Sequence, residues 1–171
     1  MSKGLEWMNA LPREEAEAEL LKCCGSANWA RGMAARRPFH EMAKLLKAAD
    51  LLWWKLGHED WLEAFSRHPK IGRRAAQQAG PTATERWADE EQAGTRSAAE
   101  DLLAALAKAN SAYEARFGYI FIVCATGKTS EEMLALLRKR LQNDPVAELR
   151  IAAEEQRRIT RLRLEKLLGP A

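Results

Sequence analysis

Residues 119–125, Tyr-Ile-Phe-Ile-Val-Cys-Ala, form the one β-like run in this chain. Its isolation constrains the fold strongly, because even two paired strands are marginal in water and a lone strand builds no sheet. The core must therefore be closed by helices, and glycine and proline cut the rest of the sequence into helix-sized segments. Pro12 suits a first-turn position ahead of REEAEAELLKCC, which runs to Gly25 with its carboxylates early, as the helix dipole favours. Ser26 or Asn28 can cap the next segment, which stops before Pro38. Met42, Leu45, Leu46, Ala49, Leu52, Trp53 and Leu56 then form a 3.6-residue stripe ended by Gly57. Asp60 is the expected cap of WLEAFSR.

After a polar stretch over 70–84, ERWADEEQAG reads as a short helix. Ser97 reads as the cap of a longer one that carries Leu102, Leu103, Leu106, Ala109 and Tyr113 inward and stops at Gly118. Thr129 and Glu132 form a capping box, and Asp144-Pro145 starts a last helix closed by Gly169. The sum is an all-α fold of about seven or eight helices with one short extended segment near 119–125, expected as a single compact domain over residues 1–171.

Composition removes several functional classes. Apolar residues make up 47% and charged residues 30%, which excludes a disordered chain, and no apolar run approaches the roughly 20 residues a membrane span needs. A net charge of +3, from 27 basic and 24 acidic residues, is too balanced to imply a nucleic-acid partner. Cys23, Cys24 and Cys124 are a poor disulfide framework and suggest a reducing compartment. The N-terminus has no basic-then-apolar signal and the chain ends in LGPA, which is not a peroxisomal address, so the expected location is cytoplasmic.

Two motif readings fail on spacing. Gly127-Lys128-Thr129 follows an apolar run and precedes a helix, but a phosphate loop needs a glycine where Ile122 stands. His58-Glu59 lacks the second histidine of a zinc-protease helix, and no Glu-x-x-His occurs, so neither a zinc nor a di-iron site is expected. The six tryptophans are core residues by default, except that Trp53 and Trp54 cannot face the same way on one helix.

His68 is one of three histidines and sits where Pro69 breaks a helix. A helix C-terminus favours the protonated ring, so an upward pKa displacement is expected, which would make His68 a proton donor near neutral pH. The alternative is a histidine that only ends a helix.

Around it, the sequence resembles the OHCU decarboxylases, which act on 2-oxo-4-hydroxy-4-carboxy-5-ureidoimidazoline, the last intermediate between urate and allantoin. HPKIG is similar to the family's HP-[RK]-IG signature, and DWLEAFSRHPKIG (60–72) to the stretch that contains it. CCGSANWARGMAARRPF (23–39), WADEEQAG (87–94), NSAYEARFGYIFIVCATGK (110–128), RLQND and EEQRRITRLRLEKLL resemble further family blocks in order, over nearly the whole chain.

The resemblance implies an all-α fold, a homodimer, no cofactor and no metal, and release of CO2 to give (S)-allantoin. It places the catalytic histidine on His68, the catalytic glutamate on Glu91 and a substrate-contacting arginine on Arg163, with Arg161 as the neighbouring register. It places the pocket lining on Pro69, Ala88, Asp89, Glu90, Gln92 and the run Phe121, Ile122, Val123, Cys124 and Ala125. Ala88 departs from the serine the family often has there, so a hydroxyl contact would be absent.

The chemistry suits these residue types. OHCU carries its own electron sink, a ring C=N beside the carbon that loses CO2, so no cofactor need supply one. Arg163 offers a planar fork for a carboxylate or ureido carbonyl, Gln92 both donates and accepts, and extended backbone over 121–125 can present amides to a ligand. Two other classes compete: a non-catalytic helical interaction domain, and a helical hydrolase acting on another ureide.

Overall fold

The computed structural model describes residues 2–69 and 89–169, of which 89–98 by backbone alone. The described residues hold eight helices and no strand, as the isolated β-like run requires. The helices are α1 (Lys3–Ala10), α2 (Arg13–Cys24), α3 (Ala27–Ala34), α4 (Met42–Lys55), α5 (His58–Ser66), α6 (Asp89–Phe117), α7 (Ser130–Arg140) and α8 (Pro145–Leu168). They divide into two compact units, Met1–His68 with Leu149–Ala171, and Pro69–Glu148.

In the first unit the caps do most of the local specification. Ser26 is the N-cap of α3, its hydroxyl accepting from Trp29 N, and Gly25 ends α2 in the left-handed region at φ +85°. Pro12 is itself the N-cap of α2, one place earlier than expected, with Arg13 as the first helical residue. Asp60 is not a cap. Gly57 caps α5, and the Asp60 carboxylate instead accepts from Ser26 Oγ at 3.2 Å and Asn28 Nδ2 at 2.8 Å. A partner 34 residues away in sequence thus outcompetes the local backbone amides.

The core of this unit contains Leu5, Leu20, Met33, Leu45, Phe65 and Leu164, each at most 2% exposed and each contributing about 1.5–3 kcal/mol by burial. Three indoles are hydrogen-bonded as well as buried: Trp29 donates to Ala49 O, Trp53 to Ala153 O and Trp61 to Trp53 O. Trp54, next to Trp53, is 38% exposed, as the helical geometry demands.

The turn that joins α2 to α3 past the end of α5 depends on Gly25. A Cβ there would meet Arg67 Cβ at 3.0 Å and Ala64 O at 3.3 Å, on a backbone that L residues adopt at a cost. Gly25→Ala is expected to destabilise the protein by about 1–2 kcal/mol, read as a lower urea midpoint with an unchanged slope.

In the second unit α6 runs unbroken for 29 residues, so residues 89–94 of the expected short helix are its first part, the rest of that expectation lying outside the described residues, and Ser97 is no cap. One internal glycine costs about 1 kcal/mol, whereas a break would leave a second set of unpaired helix-end groups. Gly118, at φ +79°, ends α6. The chain then runs extended over 119–125 before Thr129 and Glu132 form the expected capping box of α7. Asp144 starts α8 by accepting from Val146 N and Ala147 N.

Phe121 and Val123 insert into a core with Leu106, Ala109, Tyr113, Leu134 and Leu137. Beside them is a buried polar knot. Arg140 Nε donates to Glu148 Oε1 at 2.7 Å, Tyr113 donates to the same oxygen, and Asn143 Nδ2 donates to Glu148 Oε2 at 2.7 Å. Arg140 Nη1 also donates to Ile122 O at 2.7 Å, and its guanidinium lies 4.6 Å over the Phe121 ring. The extended segment is therefore held by packing and by one buried guanidinium, without a neighbouring strand among the described residues.

Candidate functional site

Helix α5 ends at Ser66, and the chain tightens through a last turn in which Arg67 N donates to Ala64 O and His68 N to Phe65 O. Pro69 prevents the next helical turn. His68 is left half-buried, its ring turned toward α8 and the C-terminus of α2.

Two side chains of α8 grip the ring from opposite sides. Nε2 of His68 lies 2.6 Å from Gln156 Oε1, and Nδ1 lies 3.4 Å from Arg163 Nη2. Arg163 also approaches the carbonyls of Lys22 and Cys23, both at 3.4 Å, where α2 presents its unpaired C-terminal carbonyls. Gln156, fully buried, donates from its own Nε2 to Thr160 Oγ1 at 3.1 Å.

These contacts shift the titration of His68 in the direction opposite to the sequence expectation. Its pKa is lowered from the ordinary value of 6.5, first by burial and then by the Arg163 guanidinium, with the Gln156 hydrogen bond acting weakly the other way. Desolvation and a like charge thus outweigh the helix C-terminus. Folding depresses this pKa, so the stability associated with the neutral ring is present above 6.5 and is lost as pH falls through the folded value. The ring is neutral at pH 7. Burial also raises the neighbouring thiols, Cys23 to about 11 and Cys24 to about 12, so both remain protonated there and act as packing groups rather than nucleophiles.

The remaining site residues fall as follows. Arg161 points elsewhere, pairing with Asp50 at 2.8 Å, as does Arg157 at 2.9 Å. Of the two registers considered, it is therefore Arg163 that meets His68. Pro69 is exposed. Asp89, Glu90, Glu91 and Gln92 lie in the first turns of α6, where only the backbone is described, and Ala88 lies outside the described residues. In the second unit Phe121, Ile122 and Val123 are buried, Cys124 is half-buried and Ala125 is exposed. Among the described residues, no group of three or more His, Cys, Asp or Glu side chains could hold a metal ion, and no helix is long and apolar enough to cross a membrane.

Gln156 and Thr160 escaped the sequence reading. Ala152, Gln156, Thr160 and Arg163 nevertheless recur at helical spacing on one face of α8, and a glutamine among alanines on an inward stripe is a legible signal.

Comparison with known proteins covers the same residues. The family model for OHCU decarboxylase matches residues 9–165. The uric acid degradation bifunctional protein TTL of Arabidopsis thaliana is 38% identical over 156 residues, which are 91% of this chain and 48% of that protein. The 2-oxo-4-hydroxy-4-carboxy-5-ureidoimidazoline decarboxylase of Mus musculus is 37% identical over 102 residues, 60% of this chain and 57% of that one. The chain thus spans about half the length of these relatives. A crystal structure of OHCU decarboxylase in the presence of (S)-allantoin superposes with a TM-score of 0.71 at 38% identity, covering 88% of this chain and 96% of that one. With a family model spanning residues 9–165 and a helical fold that superposes on that structure, the chain belongs to the OHCU decarboxylase family.

Proposed function

We propose that the protein decarboxylates OHCU to (S)-allantoin and CO2 without a cofactor, in urate degradation, with residues 1–171 acting as one catalytic domain. The observation that carries this reading is the His68 ring, half-buried and clamped between Gln156 and Arg163 in a chain of this family.

The reaction needs little covalent help. As CO2 leaves C4, the bonding pair moves into the adjacent ring C=N, whose nitrogen takes up the one proton consumed overall. The C4 hydroxyl then loses its proton as the carbon becomes a carbonyl, and C5 gains one. A neutral His68 serves this sequence better than an imidazolium: it accepts the hydroxyl proton and returns a proton to C5, ending as it began. Arg163 pairs with the substrate's carboxylate or ureido carbonyl. Glu91 orients the hydroxyl, and Gln92, Pro69, residues 88–90 and the 121–125 backbone line the ring's polar edge. A site that excludes water keeps the protonation of C5 to one face.

The homodimer and the cytoplasmic location belong to the same reading. The family resemblance supports the first, and three free cysteines, two of them buried, suit the second.

The test is product analysis with freshly generated OHCU. CO2 should be released faster than in the spontaneous reaction and without ammonia, whereas ammonia would indicate a ureide hydrolase. Glu91→Gln should lower turnover by about a hundredfold or more, and near-normal turnover would remove its role. Allantoin should raise the melting temperature, a response that an interaction domain for protein partners would not give.

A further inference from the structure

We infer that Gln156 is a positioning residue that fixes the tautomer of His68, so that Nδ1 is the atom through which the ring exchanges protons with substrate. This inference rests on the function proposed above and deepens it.

The argument is one of donors and acceptors. Arg163 can only donate, so the His68 Nδ1 that it faces at 3.4 Å must carry a lone pair. The neutral ring then holds its proton on Nε2, which lies 2.6 Å from the Gln156 side-chain oxygen. A glutamine amide could present either end, and the proton on Nε2 makes the choice, because it needs an acceptor. Gln156 Nε2 donates to Thr160 Oγ1 at 3.1 Å, which leaves Oε1 for the imidazole.

Both α8 residues are buried, Gln156 at 0% and Thr160 at 5% exposure, so water does not substitute for either contact. Their spacing of four residues keeps them stacked along α8. The Nε2 side of His68 is thereby closed by protein, and Nδ1 is left on the side shared with the arginine.

Glutamine suits this task where a carboxylate would not. A carboxylate would accept the same hydrogen bond but would also stabilise the imidazolium, by roughly one to three pKa units. The neutral amide orients the ring and leaves it unprotonated at pH 7, ready to accept. The charged group facing the ring from the described elements is Arg163 on α8, and the buried thiols of Cys23 and Cys24 on α2, which feel that guanidinium, are protonated at neutral pH.

The ring can be read directly by nitrogen NMR of 15N-histidine-labelled protein, with His68→Asn assigning its signals apart from those of His40 and His58. At pH 8, Nε2 of His68 should show the protonated shift and Nδ1 the unprotonated one. In Gln156→Met, which keeps the volume but offers no oxygen, the two shifts should move toward each other. Its kcat should fall on the order of tenfold to hundredfold with KM little changed. In Gln156→Glu, the acid limb of the kcat/KM profile should move to higher pH by roughly one to three units.

An active wild-type enzyme whose proton sits on Nδ1 overturns the inference, as do unchanged shifts and rates in Gln156→Met. A wild-type protein that does not turn over OHCU overturns the proposed function instead, while the tautomer remains measurable.

Discussion

His68→Ala is expected to lower OHCU turnover by about a hundred- to ten-thousandfold, the range over which a positioned acid–base group contributes. Few groups could take over. Arg163 stays protonated at any working pH and cannot accept the hydroxyl proton. The nearby thiols are held protonated by burial, Cys23 at about 11 and Cys24 at about 12. Folding should survive, since His68 follows the last turn of α5 and contributes no core side chain. The local cost is an unpaired Gln156 oxygen, worth about 1–3 kcal/mol.

The same variant should change the pH dependence of stability. The folded pKa of His68 lies below 6.5, so the wild type loses a contribution as pH falls through that value, and His68→Ala should lose less there. Chemical denaturation at pH 8 and pH 5 reads both numbers. Turnover within threefold of wild type would remove His68 from the chemistry.

Arg140→Met should destabilise the fold by about 3–5 kcal/mol, the usual consequence of stranding one member of a buried ion pair. Glu148 is 0% exposed and Arg140 only 4%, so the carboxylate left behind finds no water. Tyr113 and Asn143 would still donate to it, but no cation would remain within the knot. The loss extends to the 119–125 run, because the same guanidinium holds the Ile122 carbonyl and covers the Phe121 ring.

Amide exchange over 119–125 should therefore accelerate in the variant more than exchange in α2 and α3. Arg140→Met combined with Glu148→Gln should recover part of the stability, since the buried charge is gone. Urea unfolding followed by circular dichroism measures the free energies. A cost under 1 kcal/mol for the single change would show that the ion pair does not hold this segment.

Much of the fold was legible because it is written locally. Gly25, Ser26, Gly118, Gly169 and the Thr129–Glu132 box mark helix ends through backbone chemistry that needs no distant partner. The errors fall where distant partners decide. Asp60 has the right residue type for a cap, yet Ser26 and Asn28 claim its carboxylate. Ser97 has cap chemistry too, but α6 continues through it, since a break would leave a second set of unpaired helix-end groups.

The site divides the same way. The position of His68 follows from Pro69, a local effect, whereas its charge state follows first from burial and then from Arg163, 95 residues further on. A helix end by itself favours a raised pKa. Burial and the guanidinium, both products of folding, set the opposite sign.

Optical activity of the product tests the central claim most directly. Urate oxidase and hydroxyisourate hydrolase would generate OHCU in the presence of this protein, and circular dichroism would follow the allantoin as it forms. Directed protonation of C5 predicts an early, large excess of the (S) enantiomer over the spontaneous reaction. A racemic product at the spontaneous rate, from folded protein, would contradict it.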